Sequence, residues 1–384
     1  MNSTDNTFFT ISFDFIALDQ KIPYDLYVNS SSNEKKKKFV RIFPVNDLIN
    51  AEELKEFKKK YHQLYVHESQ RAKYLKSLVD CLGPTTVQKT EVIKESAIYY
   101  LDKLFDKNKD FNTEILSETL QGCKQTIESM VDIIKDYDIL KIQNLIGSLS
   151  FHDFYTYDHS INVSMYCIAL YTAYRPNAPK EEIVLAGLGG LLHDIGKIKI
   201  PTEIINNPQK LSPAELEIIK KHPDYGFQLL KENACHCQGV DFLTIQRIVH
   251  EHHENFNGTG YPKKLDSYNI HLLARLTSIA DFFDAITTKR AYHEVLNVED
   301  AIAVMSKASG RKLDPDLFGV FTTSMRQLAF SGMITRELPD DFDPCRPQNV
   351  LPFLASKNKY KVEGFGKKEE PHPLSTIKKR IKVM

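Results

Sequence analysis

Net charge, a bilayer-length apolar run and a disulfide complement are all missing from this sequence, and each absence removes a class of protein. Fifty Lys+Arg are matched by 50 Asp+Glu, which argues against a chain that coats a nucleic-acid polymer through bulk charge. The longest apolar stretch, Ile183 to Leu192, has ten residues, three of them glycine. Spanning a bilayer takes roughly 20. Six cysteines in 384 residues do not make a disulfide scaffold. Met1 to Ala17 carries Asp5 and Asp14 and lacks the basic segment of a secretory signal. The expectation is a cytoplasmic protein with reduced thiols and no membrane span. Apolar content is 42%, with 18 Tyr counted and 16 Gly left out. Exchanging the two sets leaves about 41%, a little under the globular band of roughly 45–50%. A normal core is therefore available, and the length suggests two or three domains.

Along the chain, the first 75 residues mix periods. Phe9, Ile11, Phe13 and Phe15 alternate with polar residues as in a half-buried strand, and Tyr24 to Val28 and Phe39 to Phe43 are further β-prone runs. Ser30 to Lys38 suits a solvated hairpin loop, and Asn50 suits the N-cap of a helix from Ala51 to about Tyr61. Residues 1–75 thus read as a small α+β domain, to which domain order alone gives a sensory or docking role, and 76–140 as linking helices. The run Leu116, Leu120, Cys123, Ile127, Val131, Ile134 marks one buried helix face. Residues 141–345 read as a helical domain, with breaks at Pro176, Pro201, Pro208 and Gly258 to Pro262. Residues 346–384 form a basic tail: Lys357 to Met384 holds nine Lys/Arg against three Glu. Such a run suits a solvated end or an interaction arm.

Chemistry concentrates in the histidines, six of the thirteen lying between His193 and His253. His193-Asp194 closes the apolar segment and runs into Ile195-Gly196-Lys197. An imidazole takes one metal position, whereas a carboxylate has two oxygens and can bridge two ions; mixed N/O sets suit Fe, Mn, Zn or Co. Gly196 allows close backbone approach, and Lys197 supplies a point charge for phosphate. His250-Glu251-His252-His253-Glu254 is followed by Gly258-Thr259-Gly260-Tyr261-Pro262. Neighbouring histidines differ by about 100° on a helix, yet they converge if they sit in its last turn beside a cleft. Cys235-His236-Cys237 lacks the second pair a structural zinc site needs.

Taken together, His159-Ser160, His193-Asp194, Lys197, His222-Pro223, His252-His253-Glu254, Gly258-x-Gly260-Tyr261-Pro262, Ala280-Asp281 and Arg290-x-Tyr292 resemble the HD-GYP family, a branch of the HD-domain metal-dependent phosphohydrolases. The resemblance implies a mainly α fold: an all-helical HD-GYP bundle, here preceded by the α+β domain and its linking helices. It implies one metal ion held by His159, His193, Asp194 and Asp281. A second would be held by Asp194 as bridge with His222, His252 and His253. Lys197 and Arg290 would grip phosphates, and Gly260, Tyr261 and Tyr292 would line the substrate site. Family members with a third ion carry Glu four residues before the first histidine. Here Tyr155 stands there, and a neutral phenol replaces carboxylate poorly. Two divalent ions are expected, iron first and manganese as the alternative. The stretch Asn255-Phe256-Asn257 replaces an Arg-Trp-Asp-like segment of the family, which bears on partner contacts or substrate affinity.

The implied activity is hydrolysis of cyclic di-GMP to linear pGpG, with cleavage on to GMP left open, by a hydroxide bridging the two ions. Paired ions bring the pKa of such a water from 15.7 toward about 7 and neutralise the phosphoryl oxygens. Asp194 and Lys197 carry the catalytic expectation. The alternatives are a weakly catalytic cyclic-dinucleotide-binding adaptor acting through protein contacts, and a phosphohydrolase of a hybrid cyclic dinucleotide. Protein partners through the N-terminal domain or the Gly258–Pro262 loop, and a homodimer, are also compatible with the domain order.

Overall fold

The computed structural model describes residues 7–31, 37–105, 113–150, 155–205, 211–233, 240–288 and 296–325. Arg290, Tyr292, Pro208, the Cys235-His236-Cys237 triplet and the basic tail lie outside them.

The N-terminal strands are β1 (Phe8–Ile11), β2 (Leu26–Asn29), β3 (Phe39–Phe43) and β4 (Leu64–His67). They form one antiparallel sheet in the order β1-β4-β2-β3. The first strand is shorter than its alternation predicts, because Ser12 Oγ accepts from Asp14 N at 3.3 Å and turns Phe13–Phe15 into a 3-10 helix. Strands β2 and β3 pair antiparallel, and Ser30 N donates to Lys38 O at the ends of the expected hairpin loop, whose residues 32–36 lie outside the described ones. Helix α1 (Ala51–Lys60) starts where its cap predicts, Asn50 Oδ1 accepting from Glu53 N at 2.8 Å. Strand β4 had no sequence reading. Its Leu-Tyr-Val-His run is too short to show a period, yet Leu64, Tyr65 and Val66 are buried.

Helices follow: α2 (Arg71–Ser77), α3 (Thr86–Phe105), α4 (Thr113–Ile134) and α5 (Ile139–Ile146). The expected face of α4, from Leu116 to Ile134, is no more than 2% exposed. Gly122 lets it close on α3: a Cβ there would lie 2.2 Å from the Tyr100 ring. Beyond lie α6 (Tyr155–Tyr174), α7 (Lys180–Leu192), the short α8 (Thr202–Ile205) and α9 (Pro213–Ile219), then α10 (His222–Asn233), α11 (Phe242–Glu251), α12 (Leu272–Thr287), α13 (Val298–Ala308) and α14 (Pro315–Thr323).

Helices α6 and α7 are apolar on nearly every side, as buried central helices are. In α7 each of Ile183, Val184 and the seven residues Ala186–Leu192 is buried. The two meet closely where Gly190 faces the Ser164 backbone, a Cβ there falling 2.9 Å from Ser164 Cα. Ser164 Oγ donates to Gly187 O at 2.7 Å across the same contact. Helix α12 packs on both. Among the described residues no helix is long and apolar enough to cross a membrane.

Candidate metal centre

Each sequence-predicted ligand sits at a place where its helix can spare it. His159 projects from α6, and His193 and Asp194 follow the last turn of α7. His222 opens α10, His252 and His253 follow α11, and Asp281 lies in α12. The structure brings all seven together, none more than 8% exposed. The ligand atoms of Asp194, His222, His252 and His253 lie within 4.8 Å of one another, as do those of His159, His193 and Asp194.

Asp194 joins the two sets. Its Oδ2 lies 3.3 Å from His193 Nε2 and 4.0 Å from His159 Nε2. Its Oδ1 lies 3.2 Å from His222 Nε2 and 4.0 Å from His252 Nε2. Asp281 Oδ1 is 3.1 Å from His159 Nε2. Lys197, in a 3-10 turn after Asp194, places Nζ 2.5 Å from Asp194 Oδ2. Gly196 makes this turn fit, since a Cβ there would lie 1.9 Å from the His222 carbonyl oxygen and 2.5 Å from Gly226 N.

Ring orientation is set by a repeated device. The Nδ1 atoms of His193, His222 and His252 bond the carbonyls three residues back, those of Gly190, Ile219 and Val249, at 2.7, 2.8 and 2.9 Å. Those carbonyls belong to the last turns of α7, α9 and α11, where no intrahelical N–H remains to occupy them. A proton held on Nδ1 leaves the Nε2 lone pair pointing inward. His159 differs: its Nδ1 pairs with Asp284 Oδ2 at 2.7 Å, and Asp284 is held in turn by Asn162 Nδ2 at 2.9 Å and Thr288 Oγ1 at 2.7 Å. Sequence reasoning missed Asp284, although its place one turn after Asp281 was the available signal.

The donor set fits cations. His222 Nε2 and His252 Nε2 face each other at 3.2 Å, and His193 Nε2 and His253 Nε2 are buried with no hydrogen-bond partner among the described residues. Converging lone pairs shut away from water are costly until a cation occupies the space between them. Electrostatics agree. Burial and the neighbouring imidazoles push His252 and His253 well below the usual histidine range, which keeps them neutral. Burial alone would raise Asp194, but Lys197 and the adjacent histidines outweigh it and hold the carboxyl well below its ordinary range. His159 is the exception: burial opposes its charge, yet its hydrogen bonds to Asp281 and Asp284 raise it to about 9, so an ion arriving at its Nε2 would displace a proton.

The Gly258–Pro262 loop lies beside the second set. Tyr261 stacks on His253, with ring centroids 4.8 Å apart and planes 22° from parallel. Gly260 packs against the preceding backbone, a Cβ there meeting Asn255 N at 2.2 Å. Glu254, third in its motif, bonds the loop instead of joining the cluster: its Oε1 and Oε2 accept from Lys263 N and Leu265 N at 2.6 and 3.1 Å. Arg290 and Tyr292 remain expectations outside the described residues, as does the side chain of Tyr155.

Comparison with known proteins agrees with this geometry. Residues 152–317 match the HD domain family. A cyclic di-GMP phosphodiesterase of Pseudomonas aeruginosa is 39% identical over 173 residues, 45% of this chain and 40% of that protein. A 3'3'-cGAMP-specific phosphodiesterase of Vibrio cholerae is 31% identical over 193 residues, 50% of this chain and 36% of that protein. The chain thus spans less than half the length of these two relatives. Among solved structures, an HDG"Y"P protein of Bdellovibrio bacteriovorus aligns with a TM-score of 0.51 at 23% identity, covering 83% of this chain and 100% of that one. It supports the fold.

Proposed function

We propose that residues 152–317, which match the HD domain family, are of the HD-GYP type, and that this protein is a metal-dependent phosphodiesterase that hydrolyses cyclic di-GMP to linear pGpG. The observation that carries the reading is the division of Asp194, one oxygen toward His159 and His193 and the other toward His222 and His252. A carboxylate shared in this way suits two divalent ions, iron or manganese, with His159, His193 and Asp281 completing one site and His222, His252 and His253 the other. Bound there, such ions would acidify a water and neutralise phosphoryl charge.

The chain's own groups supply the rest. The Nδ1 bonds hold four imidazoles in place before substrate arrives, so little reorganisation is left for the reaction. Lys197 carries a positive charge on the rim of the cluster, its side chain 14% exposed, where it can meet a phosphate oxygen as well as Asp194. Tyr261 sits over His253 and narrows the approach from that side. Arg290 and Tyr292 are assigned to the phosphate and the nucleotide on the resemblance. The N-terminal α+β region is assigned a sensory or docking role.

The test is turnover by the full chain loaded anaerobically with Fe(II) or Mn(II), with Asp194→Ala as control. Cyclic di-GMP and 3'3'-cGAMP are compared side by side, because relatives of both names match this chain. Linear pGpG from the loaded wild type and none from the control supports the reading. Tight binding without product identifies a cyclic-dinucleotide adaptor instead, and preference for 3'3'-cGAMP changes the substrate while keeping the chemistry.

A further inference from the structure

A buried ion pair joins α3 to the helix that carries His159. Lys94 Nζ lies 2.7 Å from Asp158 Oδ1, and neither side chain is more than 5% exposed. Asp158 immediately precedes His159 on α6. Lys94 also donates to the Ser150 carbonyl. One turn earlier on α3, Glu91 Oε2 accepts from Ser150 N at 3.1 Å. The approach to α6 and its first turn are therefore both fastened to α3. Further along, Tyr157 adds a longer contact, its hydroxyl 3.4 Å from Asp102 Oδ1.

The same helix is fastened on its other side to the N-terminal region. Arg71 Nη1 donates to Ser96 Oγ at 2.9 Å. Its guanidinium lies against the rings of Phe9, in β1, and Tyr99, in α3, at 4.0 and 4.4 Å. Lys94 and Ser96 are two residues apart on α3.

A buried ion pair is a poor device for stability alone, since apolar residues of similar volume often do as well. It is a good device for fixing register, because a displaced partner leaves a charge stranded. Register matters at His159. A helix rises about 1.5 Å per residue, whereas metal–ligand distances tolerate only about 0.2 Å of error.

We propose that Lys94 is a positioning residue for His159: through Asp158 it sets the height and rotation of the first turns of α6, and so the place of His159 Nε2 opposite Asp194 and Asp281. The proposal rests on reading the cluster as a metal centre. It also distinguishes the two ligand sets, because only one of them draws on α6. Asp194, His222, His252 and His253 lie outside α3 and α6, the two helices that the Lys94–Asp158 pair joins.

The test is an Mn(II) titration of the metal-free full chain, followed by electron paramagnetic resonance and paired with the thermal midpoint. Two variants are compared with wild type: Lys94→Arg, which keeps the charge, and Lys94→Met/Asp158→Leu, which removes both charges and strands neither. The double variant is expected to weaken one class of Mn(II) site about tenfold, as loss of an outer-sphere support commonly does. The other class and the metal-free midpoint stay near wild type, and Lys94→Arg retains both classes. Unchanged affinity in both classes overturns the proposal, as does an equal fall in both together with the midpoint. Failure of wild type to take up any Mn(II) overturns the metal reading beneath it.

Discussion

Asp284 shows how much of a site can depend on a residue that touches none of the chemistry. Its carboxylate accepts a hydrogen bond from His159 Nδ1 while Asn162 and Thr288 hold it in place. Asp284→Asn removes the charge and keeps the shape. The expected result is a loss of roughly 10- to 100-fold in metal affinity at the set containing His159, with the far-ultraviolet circular dichroism unchanged; an Mn(II) titration reads it. Asp194→Ala goes further, because both sets share that residue. It should abolish uptake at both together, and retention of one full-affinity ion would show that Asp194 does not bridge. The seven proposed ligands were legible because imidazole and carboxylate at that order and spacing resemble a known family. Asp284 was not: only its spacing, one turn after Asp281, marks it, and a supporting carboxylate otherwise looks like any Asp in a helix. The Lys94–Asp158 pair was hidden for another reason: 64 positions separate its members, and only folding brings them within 2.7 Å.

At the scale of elements, helix ends matter more than helix middles. Three of the proposed ligand histidines borrow carbonyls from the last turns of α7, α9 and α11, so the termination of those helices is part of the proposed centre. The turn after α7 depends on Gly196, packed on the His222 carbonyl and Gly226 N. Gly196→Ala should push α10 away from Asp194. Overpacking of this kind costs about 1–3 kcal/mol, so thermal unfolding should show a lower midpoint. Metal loss should be greater at the set containing His222. The sheet offers a separate test. Asp25 accepts from Val45 N at 3.0 Å and from Gln70 Nε2 at 2.9 Å, with Arg41 at 3.4 Å. Its slight burial would raise it, but these partners prevail and lower it from 3.8. A depressed carboxyl contributes stability above its unfolded value and loses it as the pH falls through the folded one. Acid unfolding below about pH 4 should therefore be steeper in wild type than in Asp25→Asn, as followed by circular dichroism. Elements with a cap or a long period, such as α1 and α4, were readable from sequence. The four-residue β4 was not, since its place is set by pairing with β1 and β2 rather than by its own pattern.

For the whole molecule, the proposed ligands belong to α6, α10 and α12 and to the segments that follow α7 and α11, all of which must be in place at once. No short segment contains either set, so an unfolded chain has little affinity for the ions and bound metal counts almost entirely toward the folded state. At a free metal concentration 100 times the dissociation constant, one such site adds about 2.7 kcal/mol. For a folded region of 150–250 residues each kcal/mol moves the midpoint by roughly 2–4 °C. Chelation should therefore lower the thermal midpoint by roughly 5–10 °C per ion removed, and restoring Mn(II) should bring it back. His222→Ala should retain part of that shift, because the set built on His159 and His193 remains. Asp194→Ala should retain none. Calorimetry of the three proteins, each with and without metal, distinguishes a shared centre from two independent sites: equal residual shifts in the two variants would mean that Asp194 serves only one ion.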